Sequence, residues 1–308
     1  MKIATLTLNP AIDRNILYEE KLCVGGLNRV SNTKINAGGK GINVSRMLKR
    51  LGYDSYVYGF NGGRTGRMLD ELLAEEGIIP DFTETVAETR MNIKITDISG
   101  SETEINEKGG PVSDEEYDNL IAKLKKSDAE VVIIGGSTPY GLKADTVRKI
   151  VSILKLQGKQ VITDVSGESL KQAILANPYL IKPNRDEFCQ LMGEDIDDGE
   201  IADRAREFYN TTGIEIILTL GKNGAYYFGR CGNYRITNPE VKAKGFSGAG
   251  DTFLASYIYS VCSGSDIREA LKFASAASLS KVELEGTNLP CIEHIKANLE
   301  KVTINTIN

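Results

Sequence analysis

The strongest constraint on the fold is a rhythm: short β-branched apolar runs alternate with segments of helical periodicity along most of the chain. Residues 2–8 (KIATLTL), 54–60 (DSYVYGF), 130–136 (EVVIIGG), 160–165 (QVITDV), 179–184 (YLIKPN) and 215–221 (EIILTLG) predict strands. Several are almost continuously apolar, the pattern of strands covered on both faces. In residues 41–52, Val44, Met47, Leu48 and Leu51 recur at helical spacing, with Gly52 at the stop position. In 66–77, Met68, Leu69, Leu72 and Leu73 form one face ahead of Gly77. Strand-then-helix repetition predicts an α/β fold with a mostly parallel sheet between two helical layers. Ligands of such sheets bind beyond the carboxyl ends of the strands.

Two segments break the rhythm. Residues 14–36 and 88–108 predict hairpins, with turn material at Gly25-Gly26 and Ser99-Gly100. In MNIKITDI, Ile93 and Ile95 alternate with Asn92 and Lys94, a half-buried strand signature. The two inserts are expected either to pair into a small separate sheet, a lid over the strand ends, or to lie as edge hairpins on the main sheet. No tandem repeat interrupts the remainder, so 1–308 is expected to form a single domain.

Composition narrows the function. The net charge of -5, from 37 basic and 42 acidic residues, disfavours nucleic acid as a partner, because phosphate neutralisation needs clustered Lys and Arg. No apolar run reaches the roughly 18 residues of a membrane span. The opening MKIATLTLNPAID alternates instead of forming an apolar leader, so no signal peptide is expected. Five scattered cysteines without a CxxC suggest reduced thiols and a cytoplasmic protein. His294 is the sole histidine, which removes Cys/His zinc sites and most histidine-based nucleophile mechanisms.

Chemistry concentrates at KGFSGAGDTFLA, residues 244–255. Residues 252–261 predict a helix with Phe253, Leu254, Tyr257, Ile258 and Val261 on one face, so Asp251 falls at its mouth. Gly248-Ala249-Gly250 leaves backbone N–H groups approachable, and a helix N-terminus is an anion site. Two readings stay open. Asp251 is an ordinary N-cap, or the turn holds an anion while the carboxylate takes a proton, as phosphoryl transfer to a hydroxyl requires. There is no GxxxxGKS/T, GxGxxG or HRD motif, so P-loop, Rossmann and protein-kinase devices are excluded.

A second cluster, NAGGKGINVSRMLKRLG (36–52), places Gly38, Gly39 and Gly41 before a helix with Asn43 in its first turn. Together with SGAGDTF about two hundred residues later, it resembles the paired signatures of the ribokinase-like, phosphofructokinase B family of sugar kinases. TLNPAID, TRMNIKI with TEIN, GGSTPYG, IKPNRDE and TLGKNGA follow in the family's order, so the resemblance covers essentially the whole chain. It implies a three-layer α/β/α fold with a β-sheet lid, and ATP, Mg²⁺ and a sugar phosphate as ligands.

The resemblance also implies roles. Asp251 matches the general base, and the amides of Gly248, Ala249 and Gly250 the anion hole. Asp13, Gly38, Gly39 and Asn43 match positions that hold the sugar's hydroxyls. Arg90 matches the position binding the phosphate already on the substrate, with Arg29 and Ser137 as further candidates. Asn184 and Glu187 align with the Mg²⁺ and triphosphate motif. Lys182 replaces that motif's first Asn and puts a cation beside the phosphates. Thr219, Gly221 and Gly224 align along the nucleotide; Lys222 either touches phosphate or is solvated.

Departures exist: Gly245-Phe246 stands where the family carries Asp-Thr, and GGSTPYG lacks the usual paired prolines. Within the family, NPAID and TRMNIKI–TEIN are most similar to enzymes that convert fructose 1-phosphate to the 1,6-bisphosphate. Tagatose-6-phosphate kinases share nearly the same frame, and a non-catalytic sugar-phosphate sensor is the alternative of another class. Two apolar-faced lid strands also allow a homodimer through the lid.

Overall fold

The computed structural model describes residues 1–30 and 32–307; Ser31, inside the first predicted insert, and Asn308 lie outside the described residues. In chain order the strands are β1 (Ile3–Thr7), β2 (Ala11–Leu17), β3 (Asn32–Gly38), β4 (Tyr56–Gly62), β5 (Thr83–Thr85), β6 (Arg90–Thr96), β7 (Glu102–Asn106), β8 (Val131–Gly135), β9 (Gln160–Asp164), β10 (Leu180–Ile181), β11 (Glu215–Thr219), β12 (Ala225–Gly229), β13 (Gly232–Thr237) and β14 (Thr303–Thr306). The helices are α1 (Lys40–Arg50), α2 (Gly63–Glu75), α3 (Asp114–Lys126), α4 (Thr146–Leu156), α5 (Gly167–Leu175), α6 (Arg185–Met192), α7 (Ile201–Thr212), α8 (Ala249–Cys262), α9 (Ile267–Val282) and α10 (Ile292–Leu299).

The main sheet runs β14-β13-β12-β11-β10-β9-β8-β1-β4-β5. Its strands from β11 to β5 are parallel, and all six strands predicted from the sequence lie among them. Side chains alternate between two cores, as the two-residue strand period demands. Ala4, Leu6, Val132, Ile134, Ile216 and Leu218 face one core with Leu120, Ile150, Leu170, Phe188 and Phe208 from α3–α7. Ile3, Val131, Ile133, Ile162 and Ile217 face the other with Met47, Leu254, Leu271 and Ile295 from α1 and α8–α10. That is the expected three-layer arrangement.

Three differences from the sequence reading have local causes. The strand expected over 179–184 is two residues long, because Pro183 has no N–H to continue a ladder. An antiparallel edge, β12–β14, extends the sheet beyond β11. Helix α8 is buried around most of its circumference, with Thr252, Ala255, Ser256 and Ser260 enclosed as well as the predicted apolar face. It lies between α1 and α9, which cover its flanks.

The two inserts pair with each other. β3-β2-β6-β7 form a separate sheet, with β2 and β6 parallel and each hairpin antiparallel. Its first hairpin begins earlier and ends later than the predicted 14–36, at Ala11 and Gly38. The register gives the small sheet two characters. Asp13, Asn36, Asn92 and Asn106 share one row, and Asn15, Lys34, Lys94 and Glu104 another on the same face. Arg14, Ile35, Ile93 and Ile105 align on the opposite face, where Ile35 and Ile105 are exposed. β3 passes straight into α1 through Gly39, whose φ of 114° suits glycine and whose Cβ would stand 2.7 Å from the Thr7 methyl.

Candidate active site

At the carboxyl ends of the parallel strands lies a cavity of about 630 Å³, lined from β9, β11, α1, α6, α8 and α9. Its floor is the 244–255 turn. Gly248 sits at φ 76° as the N-cap of α8, and Ala249 and Gly250 open the helix. Asp251 is therefore the third helical residue, and the N-cap reading of it fails. Its Oδ2 accepts from Asn43 Nδ2 at 2.8 Å, across the α1–α8 contact. Ala249 N–H donates to the Phe246 carbonyl at 3.2 Å. The next amides in the turn have no intrahelical acceptor, the usual condition of a first turn.

Buried charges surround this turn. Asp164, at the carboxyl end of β9, pairs with Lys40 Nζ at 2.9 Å and Lys182 Nζ at 3.1 Å, and Lys40 also reaches Glu187 at 3.6 Å. Lys182 is tight against the glycine turn: a Cβ on Gly250 would stand 3.3 Å from its Nζ. Burial would raise the Asp164 carboxyl, but the Lys182 and Lys40 ammoniums outweigh it and hold it below the usual range. Burial likewise opposes the Lys40 charge, yet Asp164, Glu187 and Asp251 hold that ammonium above its usual range. Asp251 is the contrast. Burial first, then the Asp164 charge, push it up to about 6, against the Asn43 hydrogen bond and the two lysines. A carboxylate poised there is suited to accept a proton near neutrality.

The residues expected to hold the sugar gather at the root of the small sheet. Asp13 is largely buried, and its Oδ1 accepts from Asn92 Nδ2 at 2.8 Å. Burial raises its carboxyl, opposed by that hydrogen bond and by Arg90 and Arg46. Gly38 is packed on Asp13 so closely that a Cβ would lie 2.4 Å from the carboxylate. Arg90 Nε donates to the Asn9 carbonyl at 3.2 Å and Nη1 to the Glu107 carbonyl at 3.0 Å. Asn9 Nδ2 reaches Ser137 Oγ at 3.2 Å, so Arg90 and Ser137 are joined through a residue the sequence reading passed over. Arg29 is exposed in the β2–β3 loop.

The residues expected along the nucleotide, Thr219, Gly221, Lys222 and Gly224, all line the cavity, with Lys222 exposed at its edge. Gly224 has φ 83°, and a Cβ there would stand 2.1 Å from the Ile236 carbonyl, so this glycine is required by backbone approach. Asn238, Val241, Ala243, Ser275, Leu279 and Val282 supply an opposing wall that no sequence motif signalled. Asn184 and Glu187 form a reciprocal capping box on α6: Glu187 N–H donates to Asn184 Oδ1 at 2.8 Å, and Asn184 N–H to Glu187 Oε2 at 2.9 Å. Glu187 and Asp164 nonetheless both line the cavity. This donor set fits Mg²⁺, which is held by one or two carboxylates together with water and phosphate oxygens instead of a dedicated cage.

Asp164 and Lys40 were missed from sequence. The available signal was a carboxylate ending an otherwise apolar strand, at the edge where ligands of parallel sheets bind.

Residues 7–295 match the family model described as pfkB family carbohydrate kinase. A 1-phosphofructokinase from Bacillus subtilis (strain 168) is 36% identical over 272 residues, 88% of this chain and 89% of the relative. A tagatose-6-phosphate kinase from Staphylococcus epidermidis is 36% identical over 285 residues, 89% of this chain and 90% of the relative. Among solved structures, phosphofructokinase-2 from Escherichia coli, crystallised with substrates and products, superposes with a TM-score of 0.92 at 26% identity, covering 97% of this chain and 99% of that one.

Proposed function

This chain belongs to the pfkB family of carbohydrate kinases, and we propose that it moves the γ-phosphoryl group of ATP onto fructose 1-phosphate, giving fructose 1,6-bisphosphate and ADP. The observation that carries this reading is Asp251, a buried carboxylate pushed up to about 6 in the first turn of α8, beside a glycine turn, the buried Lys182 and the half-buried Lys40. The acceptor hydroxyl loses its proton to Asp251 as its oxygen bonds to the γ-phosphorus and the bond to the β-bridging oxygen breaks. The Gly250 amide and the Lys182 ammonium face the charge that builds on the phosphoryl oxygens. Lys40 and Lys182 are held charged and in place by Asp164. Glu187, kept in orientation by Asn184, and Asp164 would hold Mg²⁺, which supplies charge neutralisation to the triphosphate.

Asp13, Gly38 and Gly39 are suited to the sugar hydroxyls, and Asn43 to aligning the base. Arg90, with Ser137 and Arg29 as lesser contributors, takes the phosphate already on the sugar through its guanidinium fork. The small sheet acts as a lid that carries Asp13 and Arg90 and excludes water on closure. Its apolar face, exposed at Ile35 and Ile105, suits pairing with a second copy of the chain. Free thiols at all five cysteines agree with a reducing, cytoplasmic setting.

The substrate choice rests on the 1-phosphofructokinase relative, and the equally similar tagatose-6-phosphate kinase supplies the competing acceptor. A sensor has no use for a base tuned toward neutrality. ADP release over fructose 1-phosphate, tagatose 6-phosphate, fructose 6-phosphate and free sugars tests the reading. The highest kcat/KM is expected with fructose 1-phosphate; a preference for tagatose 6-phosphate reassigns the substrate, and silence on every acceptor removes the proposal.

A further inference from the structure

One layer behind the cavity wall lies a lysine that none of these roles uses. Lys281, in the last turn of α9, is 1% exposed, while its neighbours Ser278, Val282 and Gly248 line the cavity. Its Nζ donates to the Gly286 carbonyl at 2.7 Å. Its Cε lies 3.7 Å from where a Cβ on Gly248 would stand. The segments on either side are in register: Lys244 N–H donates to the Val282 carbonyl at 2.7 Å, and a Cβ on Gly245 would lie 3.6 Å from the Leu284 carbonyl. Lys281 therefore ties the loop after α9 to the underside of the glycine turn.

A buried ammonium is costly unless its charge and its three donors are met. Here burial, Lys94 on β6 and Arg46 on α1 all oppose the charge and push Lys281 down to about 8; Asp251 is the anion that supports it. Nothing in ordinary packing calls for a cation at this place, since a methionine would fill similar volume without the desolvation cost. What gains from it is a developing negative charge on the far side of Gly248. A fixed positive charge in a dry site acts there without solvent reorganisation.

We propose that Lys281 is a positioning residue for phosphoryl transfer: its buried ammonium braces the left-handed Gly248 turn and adds positive potential behind the amides that receive the phosphoryl group. This role rests on the kinase reading above. It acts through the turn, so it belongs to kcat and leaves ground-state binding of either substrate nearly unchanged.

The test compares Lys281→Met, Lys281→Arg and Lys281→Ala in the full chain, with folding checked by circular dichroism and Tm. Lys281→Met is expected to lower kcat roughly tenfold or more with both KM values within about threefold, and Lys281→Arg to retain more activity than Met. Lys281→Ala is expected to regain part of its lost kcat with added ammonium or methylammonium chloride, and none with tetramethylammonium chloride at equal ionic strength. Wild-type kcat in Lys281→Met, or a folded Lys281→Ala whose loss no small amine relieves, overturns the role. If the Met variant does not fold, the amine response of the Ala variant decides. Wild-type ADP release on the same sugars is the control: silence there removes the kinase reading, whereas equal activity of wild type and Met removes only this inference.

Discussion

The two ends of the candidate site are built differently. At the phosphoryl end, Asp251, Asp164, Lys182 and Lys281 are all buried and stand on α8, β9, the β10–α6 connection and α9. At the sugar end, Arg90 is half-buried, its fork is partly spent on backbone carbonyls, and Arg29 is exposed on a loop. Only two segments join the small sheet's first hairpin to the main body, Thr7 to Ala11 and Gly38 into α1. Under the proposed mechanism, the contrast means that charge is arranged in advance where the reaction would run, because preorganised dipoles need no rearrangement as charge develops. Where the substrate would be selected, the groups stand on a half-solvated sheet, the kind of element that closes after binding.

Variants can break this comparison. The largest expected effect is at the base: Asp251→Asn keeps the shape and the contact distance to Asn43, and should lower kcat roughly 10²–10⁴-fold. Near-normal turnover would move the base elsewhere. Next comes Asp164→Asn, which strips the anion from two lysines, one of them buried, and should cost roughly 3 kcal/mol of stability in denaturant titration. A loss below about 1 kcal/mol would mean the lysines find other partners. At the sugar end, Arg90→Ala should raise KM for the phosphorylated sugar roughly 10–100-fold with kcat little changed. An unchanged KM would hand the phosphate to another residue. The smallest effects belong to exposed cations: Lys222→Ala and Arg29→Ala should change the KM of ATP and of sugar phosphate by less than about threefold. A tenfold change at either would make that residue part of the site.

The asymmetry also explains what the sequence disclosed. The parallel strands and α1 were legible because burial on two faces leaves a continuous apolar run, and the packing face of a helix leaves a 3.6-residue period. The Gly248–Asp251 turn was legible as a site only together with the 36–52 glycine cluster, because an acid after glycines at a helix start also reads as an ordinary N-cap. Pairing of Asp164 with Lys40 and Lys182 was not, since it joins residues 124 apart and 18 apart in sequence through the sheet order, which no local pattern encodes. Lys281 was hidden for the same reason: nothing in SLSKVEL marks its lysine as buried. Asn184-x-x-Glu187 is a capping-box pattern as well as a match to the metal and triphosphate motif, so the start of α6 was legible there too. The outer strands of the antiparallel edge, β13 and β14, escaped because they mix polar and apolar residues on a sheet margin.

The central claim is that a buried carboxylate, tuned by its surroundings, takes the proton. The pH dependence of kcat/KM for fructose 1-phosphate, measured in parallel on wild type and Asp251→Asn, tests it most directly. Only the carboxylate form accepts a proton, so activity should fall about tenfold per unit as pH drops below the Asp251 value of about 6. The sugar phosphate titrates in the same region, and the variant separates the two contributions. The account predicts that the variant loses the wild-type acid limb beyond what substrate ionisation explains; identical limbs in both proteins would contradict it.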